Sequence, residues 1–375
     1  MSAQVRGWCP GAYRPMMSGD GLVVRVRPRL ARLDRKQALG LCAAALQYGN
    51  GTIDLTNRAN LQLRGVQQDD HETLLAELAA LDLLDADPAL ETRRNILVSP
   101  FYDNDDLTVR LARNLTDRLE ELPALPAKFG FAVDTGPVRM LAECSADIRL
   151  ERGPTGLVLR ADGAETGRAV TEADAIETAI ALARWFSENR TPHLRRMARL
   201  IAAHPLPDIW HGTPVARDTA VCQPGPHDMG ILYGAPFGQL DANALASLIQ
   251  RTGAGALRVT PWRMFLLEGA APADPGAFIT QRGDPLLCAD ACAGAPFCPQ
   301  AEVETRAIAR ALASRTRGSL HVSGCAKGCA RSTPADVTLV GRAGRFDLVK
   351  HGRTGDEPAM RDLTPDDLLT LTDLT

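Results

Sequence analysis

Apolar and polar positions alternate through residues 21–27, Gly-Leu-Val-Val-Arg-Val-Arg, which predicts a strand stopped by Pro28. Asp34 and Gln37 have the spacing of a capping box. The helix it opens places Ala38, Leu41, Cys42, Ala45 and Leu46 on one face and ends at Gly49. Residues 52–55 and 61–64 read as two further strands. Residues 70–81 read as a second helix with Leu74, Leu75, Leu78 and Leu81 inward. The order β-α-β-β-α is that of a ferredoxin-like half unit.

The pattern recurs. Residues 230–233 are strand-like, and residues 241–252 are helical with Leu245, Leu248 and Ile249 inward. Residues 256–259 and 264–267 pair as strands around Thr260-Pro-Trp-Arg263. Thr56-Asn-Arg58 corresponds in position to Thr260-Pro-Trp262. A unit repeated only twice is no solenoid; it predicts a duplicated domain with a pseudo-twofold axis and a site at the junction. Residues 84–220 between the repeats are α/β in character, with a helix over 172–189 that offers Ile176, Ala179, Ile180, Ala183 and Trp185 for packing. The Pro-rich stretch 206–219 reads as a linker. Residues 336–340 and 345–349 read as two short strands near the end.

Composition narrows the field. The chain has 375 residues, enough for two or three domains with a sizeable core. A net charge of −3 gives no bulk electrostatic case for nucleic acid or an anionic membrane. Only four of the 42 basic residues are Lys (Lys36, Lys128, Lys327 and Lys350). Genomic base bias accounts for most of that, although Arg is also the better residue for forked carboxylate recognition. No signal-peptide core opens the chain and no run of 18 apolar residues occurs, so a cytoplasmic protein is expected.

The densest candidate chemistry is Cys292-Ala-Gly-Ala-Pro-Phe-Cys298 with Ser323-Gly-Cys325-Ala-Lys-Gly-Cys329. Two Gly-rich turns carrying four thiolates can close on an iron–sulfur cube. Gly294, Gly324 and Gly328 would allow positive φ and close backbone approach. Zinc fits C-x5-C poorly. Nine Cys, an odd number, argue against a disulfide framework. Buried unliganded cysteines remain an alternative, and Cys288-x3-Cys292 could replace one of the two pairs. Cys9 and Cys42 read as structural, and His204 and His211 as solvated loop residues.

The second informative stretch is Leu55-Thr-Asn-Arg-Ala-Asn-Leu-Gln-Leu-Arg-Gly65. Gln62 and Arg64 share one strand face, as do Arg25 and Arg27, and Arg58 stands just before. Solvent-facing sides of half-buried strands would explain each strand alone. Arg93-Arg94-Asn95 and Lys128 add cations. If all converge in a cleft, their uncompensated charge would cost several kcal/mol, which a polyanionic ligand held in forked pairs would offset.

Together these stretches resemble the siroheme-dependent sulfite and nitrite reductase superfamily over nearly the whole chain. The resemblance implies an α+β fold: duplicated ferredoxin-like half domains with α/β reductase-type domains around a pseudo-twofold axis. The expected division is a first half domain (1–83), a first reductase-type domain and linker (84–220), a second half domain (221–282) and a second, cluster-binding domain (283–375). The resemblance further implies a [4Fe-4S] cluster on Cys292, Cys298, Cys325 and Cys329, and a tetrapyrrole held by Thr56, Arg58, Gln62 and Arg64. Arg27, Arg94 with Asn95, and Lys128 stand where such reductases bind the oxyanion. Gly130 stands where the second residue of their Lys-x-Lys pair would be.

That departure resembles one branch, the precorrin-3B synthases, as do the opening Arg-Gly-Trp-Cys-Pro-Gly and the residues flanking both cysteine pairs. In that branch the tetrapyrrole is substrate: precorrin-3A is hydroxylated at C-20 with O2, and the ring A acetate closes a γ-lactone, in aerobic cobalamin biosynthesis. The branch also implies a mononuclear non-haem iron. No 2-His-1-carboxylate spacing stands out for it among seven His. No G-x-G-x-x-G opens a helix after a strand, so a separate NAD(P)H-dependent electron donor is expected. A small siroheme reductase of sulfite or nitrite is the rival enzyme reading, and would carry strong haem bands. A cluster-carrier protein is the non-enzymatic one, and would bind no tetrapyrrole.

Overall fold

The computed structural model describes residues 10–220, 222–371 and 374; the opening stretch with Cys9 lies outside them. Among the described residues, strands form two all-antiparallel five-stranded sheets and two mixed sheets. The first antiparallel sheet runs Met16–Ser18, Gly21–Val26, Leu61–Val66, Thr52–Leu55, Gln239–Asp241. The other runs Gly225–His227, Gly230–Gly234, Met264–Glu268, Ala256–Val259, Arg32–Asp34. Each therefore takes its last strand from the other half of the chain. The exchange was not visible as a hydrophobic pattern, because each exchanged strand has only three residues.

Its cause is local. Leu30 and Ala31 have φ of 54° and 55°, and Phe237 and Gly238 have φ of 60° and 73°, so at both places the chain turns out of its own sheet. A left-handed conformation costs a non-glycine residue roughly 1–2 kcal/mol. Complete burial of Leu33 and Leu240 in the borrowed strands offsets that cost. Each strand then runs into a helix, Arg35–Tyr48 or Ala242–Thr252, whose first turn is capped by Asp34 or Asp241. The predicted Asp34–Gln37 capping box is present. The two helices pack against each other across the pseudo-twofold junction. Leu46 does not join that core; it is 42% exposed, and Leu41, Cys42 and Ala45 fill the inner face.

The mixed sheets share a topology. In one, Ile96–Val98, Phe131–Asp134 and Ile148–Gly153 are parallel, and Gly156–Ala161 and Thr166–Val170 follow antiparallel. In the other, Ala289–Ala291, Leu320–Ser323 and Ala335–Arg342 are parallel, and Arg345–Gly352 and Met360–Leu363 follow antiparallel. The duplication thus extends beyond the ferredoxin-like units, and the expected α+β class is the one observed. The stretch read as a linker is partly ordered into this layer. Trp210 is buried beneath Arg168, and Thr213–Pro214 adds an edge strand beside Thr166 and Gly167. No helix of the described residues is long and apolar enough to cross a membrane.

Candidate functional site

Ala289–Ala291 and Leu320–Ser323 are adjacent parallel strands with Ala291 opposite Val322. Their carboxyl ends consequently open side by side, Cys292 following the first strand and Gly324-Cys325 the second. The end of such parallel strands is where α/β sheets gather ligands. The two turns touch. A Cβ on Gly324 would lie 2.6 Å from Ala301 Cβ and 3.4 Å from Gly294 Cα. Glu302 N–H donates to the Gly324 carbonyl at 2.9 Å, and Cys298 N–H to the Gly294 carbonyl at 2.8 Å. Gly294 and Gly328 take the expected positive φ, 69° and 63°. Gly324 does not, and is required there for space alone.

Gly324 N–H points at Cys292 Sγ, 3.2 Å away. Desolvation raises the Cys329 thiol although the residue as a whole is exposed; Lys327 pulls it down, and Cys292, Cys325 and Cys298 push it up again. The four predicted sulfurs are thus electrostatic neighbours. Four thiols, touching Gly turns and an N–H aimed at sulfur suit an iron–sulfur cube, in which each thiolate holds a different iron corner. The other described cysteines differ. Burial drives Cys42 and Cys222 to about 12 and Cys144 to about 11, so they stay protonated packing groups. Cys288 sits at the far end of Ala289–Ala291 from Cys292, roughly 13 Å away at strand rise. It is separated from the quartet rather than beside it.

The basic residues lie on one face of the first antiparallel sheet. Val24, Val26, Ile53, Leu61 and Leu63 point to the helices and are buried. Arg25, Arg27, Asp54, Gln62 and Arg64 alternate with them on the other face. That face is covered rather than solvated: Arg27 and Arg64 are each 9% exposed. The Thr56 hydroxyl accepts from the N–H groups of Arg58 and Asn60, shaping the turn that projects Arg58. Arg58 Nη2 donates to the Lys128 carbonyl at 2.8 Å and to Ser145 Oγ at 3.3 Å. Asn95 Nδ2 donates to the Phe129 carbonyl at 2.7 Å. Arg58, Asn95 and the exposed Lys128 therefore meet at one turn. Gln62 is half-buried, with Arg25 and Asp54 as its cross-strand neighbours.

Three of the expected anion ligands are already matched by carboxylates. Arg94 forks onto Asp85, with Nε–Oδ1 and Nη2–Oδ2 both 2.8 Å, and both groups are buried. Its Nη2 also donates to the Arg27 carbonyl at 2.8 Å, while Arg27 Nη1 donates to the Arg94 carbonyl at 3.4 Å. Glu91 lies 4.0 Å from Arg27. Arg64 forks onto Asp20 at 3.1 and 2.9 Å, with Asp54 at 3.6 Å. The expectation of uncompensated charge fails for these three. Their acidic partners come from scattered positions that sequence order could not pair, although Asp20 in the hairpin next to the Arg strands was a signal available to be read.

Gly130 has a structural reason. It lies beside Asn95 at the start of two parallel strands, and a Cβ there would sit 2.8 Å from Asn95 Nδ2 and 3.0 Å from the Asn95 carbonyl. A second Lys would crowd Asn95 and force it to shift. Among the described residues no three His, Cys, Asp or Glu side chains converge on a single metal ion. The expected mononuclear iron therefore finds no ligand set among them. A polar cavity of about 120 Å³ is lined by Arg29, Arg32, Tyr102, Asn104 and Arg113, among others, and by none of the predicted site residues.

Residues 14–81 match the nitrite/sulfite reductase ferredoxin-like half domain. The precorrin-3B synthase of Sinorhizobium sp is 31% identical over 94% of this chain and 84% of its own length. The ferredoxin–nitrite reductase of Synechococcus elongatus is 25% identical over 91% of this chain and 80% of its own length. The NirA protein of Mycobacterium tuberculosis superposes with a TM-score of 0.65 at 18% identity, covering 93% of this chain and 79% of that one; that likeness concerns the fold. With the 31% identity to the synthase sustained along nearly the whole chain, the chain belongs to the precorrin-3B synthase family within the nitrite and sulfite reductase superfamily.

Proposed function

We propose that this protein hydroxylates precorrin-3A at C-20 with O2 and closes the γ-lactone through the ring A acetate, the precorrin-3B synthase reaction of aerobic cobalamin biosynthesis. The observation that carries the reading is the 31% identity to a precorrin-3B synthase along nearly the whole chain. Gly130 supports it against sulfite or nitrite reduction, since no second cationic donor stands there and a side chain would crowd Asn95. One oxygen atom ends on the macrocycle and the other leaves as water, so two electrons and two protons must enter. A [4Fe-4S] cluster on Cys292, Cys298, Cys325 and Cys329 would pass such electrons singly from a separate NAD(P)H-dependent donor.

The chain's own residues would bind and orient. Arg58 and Lys128 at their shared turn, with Gln62 on the strand face, would meet the carboxylates of the macrocycle and hold one meso carbon in a fixed attitude. Arg27, Arg94 and Asn95 would frame that surface. Thiolate chemistry of this kind suits a reducing, cytoplasmic compartment. The test is aerobic incubation of the cluster-loaded protein with precorrin-3A and a reductant, followed by mass spectrometry. A product heavier by one oxygen atom is expected. Reduction of sulfite or nitrite by a protein showing siroheme bands, with no oxygenated tetrapyrrole, would overturn the reading.

A further inference from the structure

We infer that Arg64, with Ser18 and Gly19, is a strut for the cluster turn and not a ligand of the tetrapyrrole; this rests on the cluster reading above. The Phe297 carbonyl, one peptide before Cys298, receives three donors from the N-terminal half of the chain. Ser18 Oγ lies 2.7 Å from it, Gly19 N 3.1 Å and Arg64 Nη2 3.3 Å. Arg64 Nη2 also holds Ser18 Oγ at 3.0 Å. The hairpin is shaped for this contact, since a Cβ on Gly19 would lie 2.5 Å from the Pro296 carbonyl. A second tie runs alongside. Arg306, the first residue of helix Arg306–Ala313, pairs with Asp54 at 3.1 Å, and Asp54 lies 3.6 Å from Arg64.

Every nitrogen of Arg64 therefore faces a carboxylate or an oxygen already in place: Nε and Nη2 reach Asp20, Nη2 also reaches Ser18 and Phe297, and Nη1 reaches Asp54. A substrate carboxylate approaching it would meet Asp20 and Asp54 first and be repelled. What the guanidinium does instead is fix, through a charge-assisted hydrogen bond, the carbonyl next to a cluster cysteine. The ferredoxin-like sheet and the cysteine turns, remote in sequence, thereby become one rigid support. Held that way, the turn resists the opening through which a cluster is lost.

The test uses full-length protein reconstituted anaerobically with iron and sulfide, as wild type, Arg64→Lys and Ser18→Ala. Arg64→Lys keeps the charge and loses the fork. Its cluster absorption should bleach under EDTA about tenfold faster, the factor one lost charge-assisted hydrogen bond carries. The electron paramagnetic resonance line shape of the dithionite-reduced cluster should change, while anaerobic precorrin-3A affinity stays at the wild-type value. Ser18→Ala should move bleaching the same way by less, and decides the matter if Arg64→Lys does not fold. Wild-type bleaching and line shape in both variants, or lost tetrapyrrole affinity with the cluster unaffected, overturns the strut. A wild-type protein that takes up no cluster overturns the functional reading itself, and the strut with it.

Discussion

Arg94 offers the sharpest test of how the basic residues are used. Asp85→Asn removes the charge opposite it and leaves the guanidinium, 9% exposed, facing a neutral amide. The lost interaction is a fork of three contacts at 2.8, 2.8 and 3.1 Å. Removing one partner of such a buried pair costs about 3–5 kcal/mol, because the remaining charge stays desolvated. At 1.36 kcal/mol per decade that is roughly two to four decades in the folded-to-unfolded ratio, a large share of the ~5–15 kcal/mol that holds a domain folded. The assay is urea denaturation followed by tryptophan fluorescence; Trp210 is buried in a short turn packed against the mixed sheet that contains Ile96–Val98, the strand that starts two residues after Arg94. Adding Arg94→Gln should recover much of the loss, since the pair then vanishes as a unit. If Asp85→Asn costs less than about 1 kcal/mol and tightens precorrin-3A binding, Arg94 is a substrate ligand held in check by Asp85, and the reasoning fails.

Three further outcomes are expected. Cys288→Ser should keep the iron content and broad absorption of the reconstituted protein, whereas Cys325→Ser should lose both; a bleached Cys288→Ser protein refutes the assignment of the quartet. Gly130→Lys should destabilise the protein by about 1–3 kcal/mol, because one of the clashing atoms is the backbone carbonyl of Asn95, and should bring no sulfite or nitrite reduction; unchanged urea stability would count against the steric account. Asp134 is fully buried, Oδ1 has no partner, and burial raises its pKa. The folded state thus keeps a proton that the unfolded chain releases near pH ~3.9. Stability falls from there up to the raised folded value and stays lower above it. Asp134→Asn should therefore gain stability over wild type as pH rises from 4 to 7. A urea difference that stays constant or shrinks across that range refutes this.

Periodicity and caps exposed the ferredoxin-like units. The period-two stretch at 21–27 and the Asp34–Gln37 box carry their geometry in a few adjacent residues, and local geometry is what a sequence encodes directly. The same logic exposed the turn at Thr56 and its counterpart at Thr260. In both, the threonine hydroxyl accepts from the N–H two residues on, and its own N–H bonds the carbonyl four residues on. The two cysteine pairs were legible because thiol spacing within each turn is short. The parallel strands that bring the two turns together were not read, since Ala289–Ala291 has three residues and no apolar alternation to show.

What the amino-acid order showed by itself, then, is the repeated unit, the two closely spaced cysteine pairs and the polar face of the basic strand. Tertiary structure alone decided which of those cations are satisfied within the protein. Asp20, Asp54, Asp85 and Glu91 reach Arg64, Arg94 and Arg27 only after the hairpin, the exchanged strands and the mixed sheet have packed. A carboxylate's effect falls off with distance in space and not along the chain, so no motif announces it. For the same reason, the meeting of Arg64 with Phe297 across 233 residues is a property of the fold and of nothing shorter.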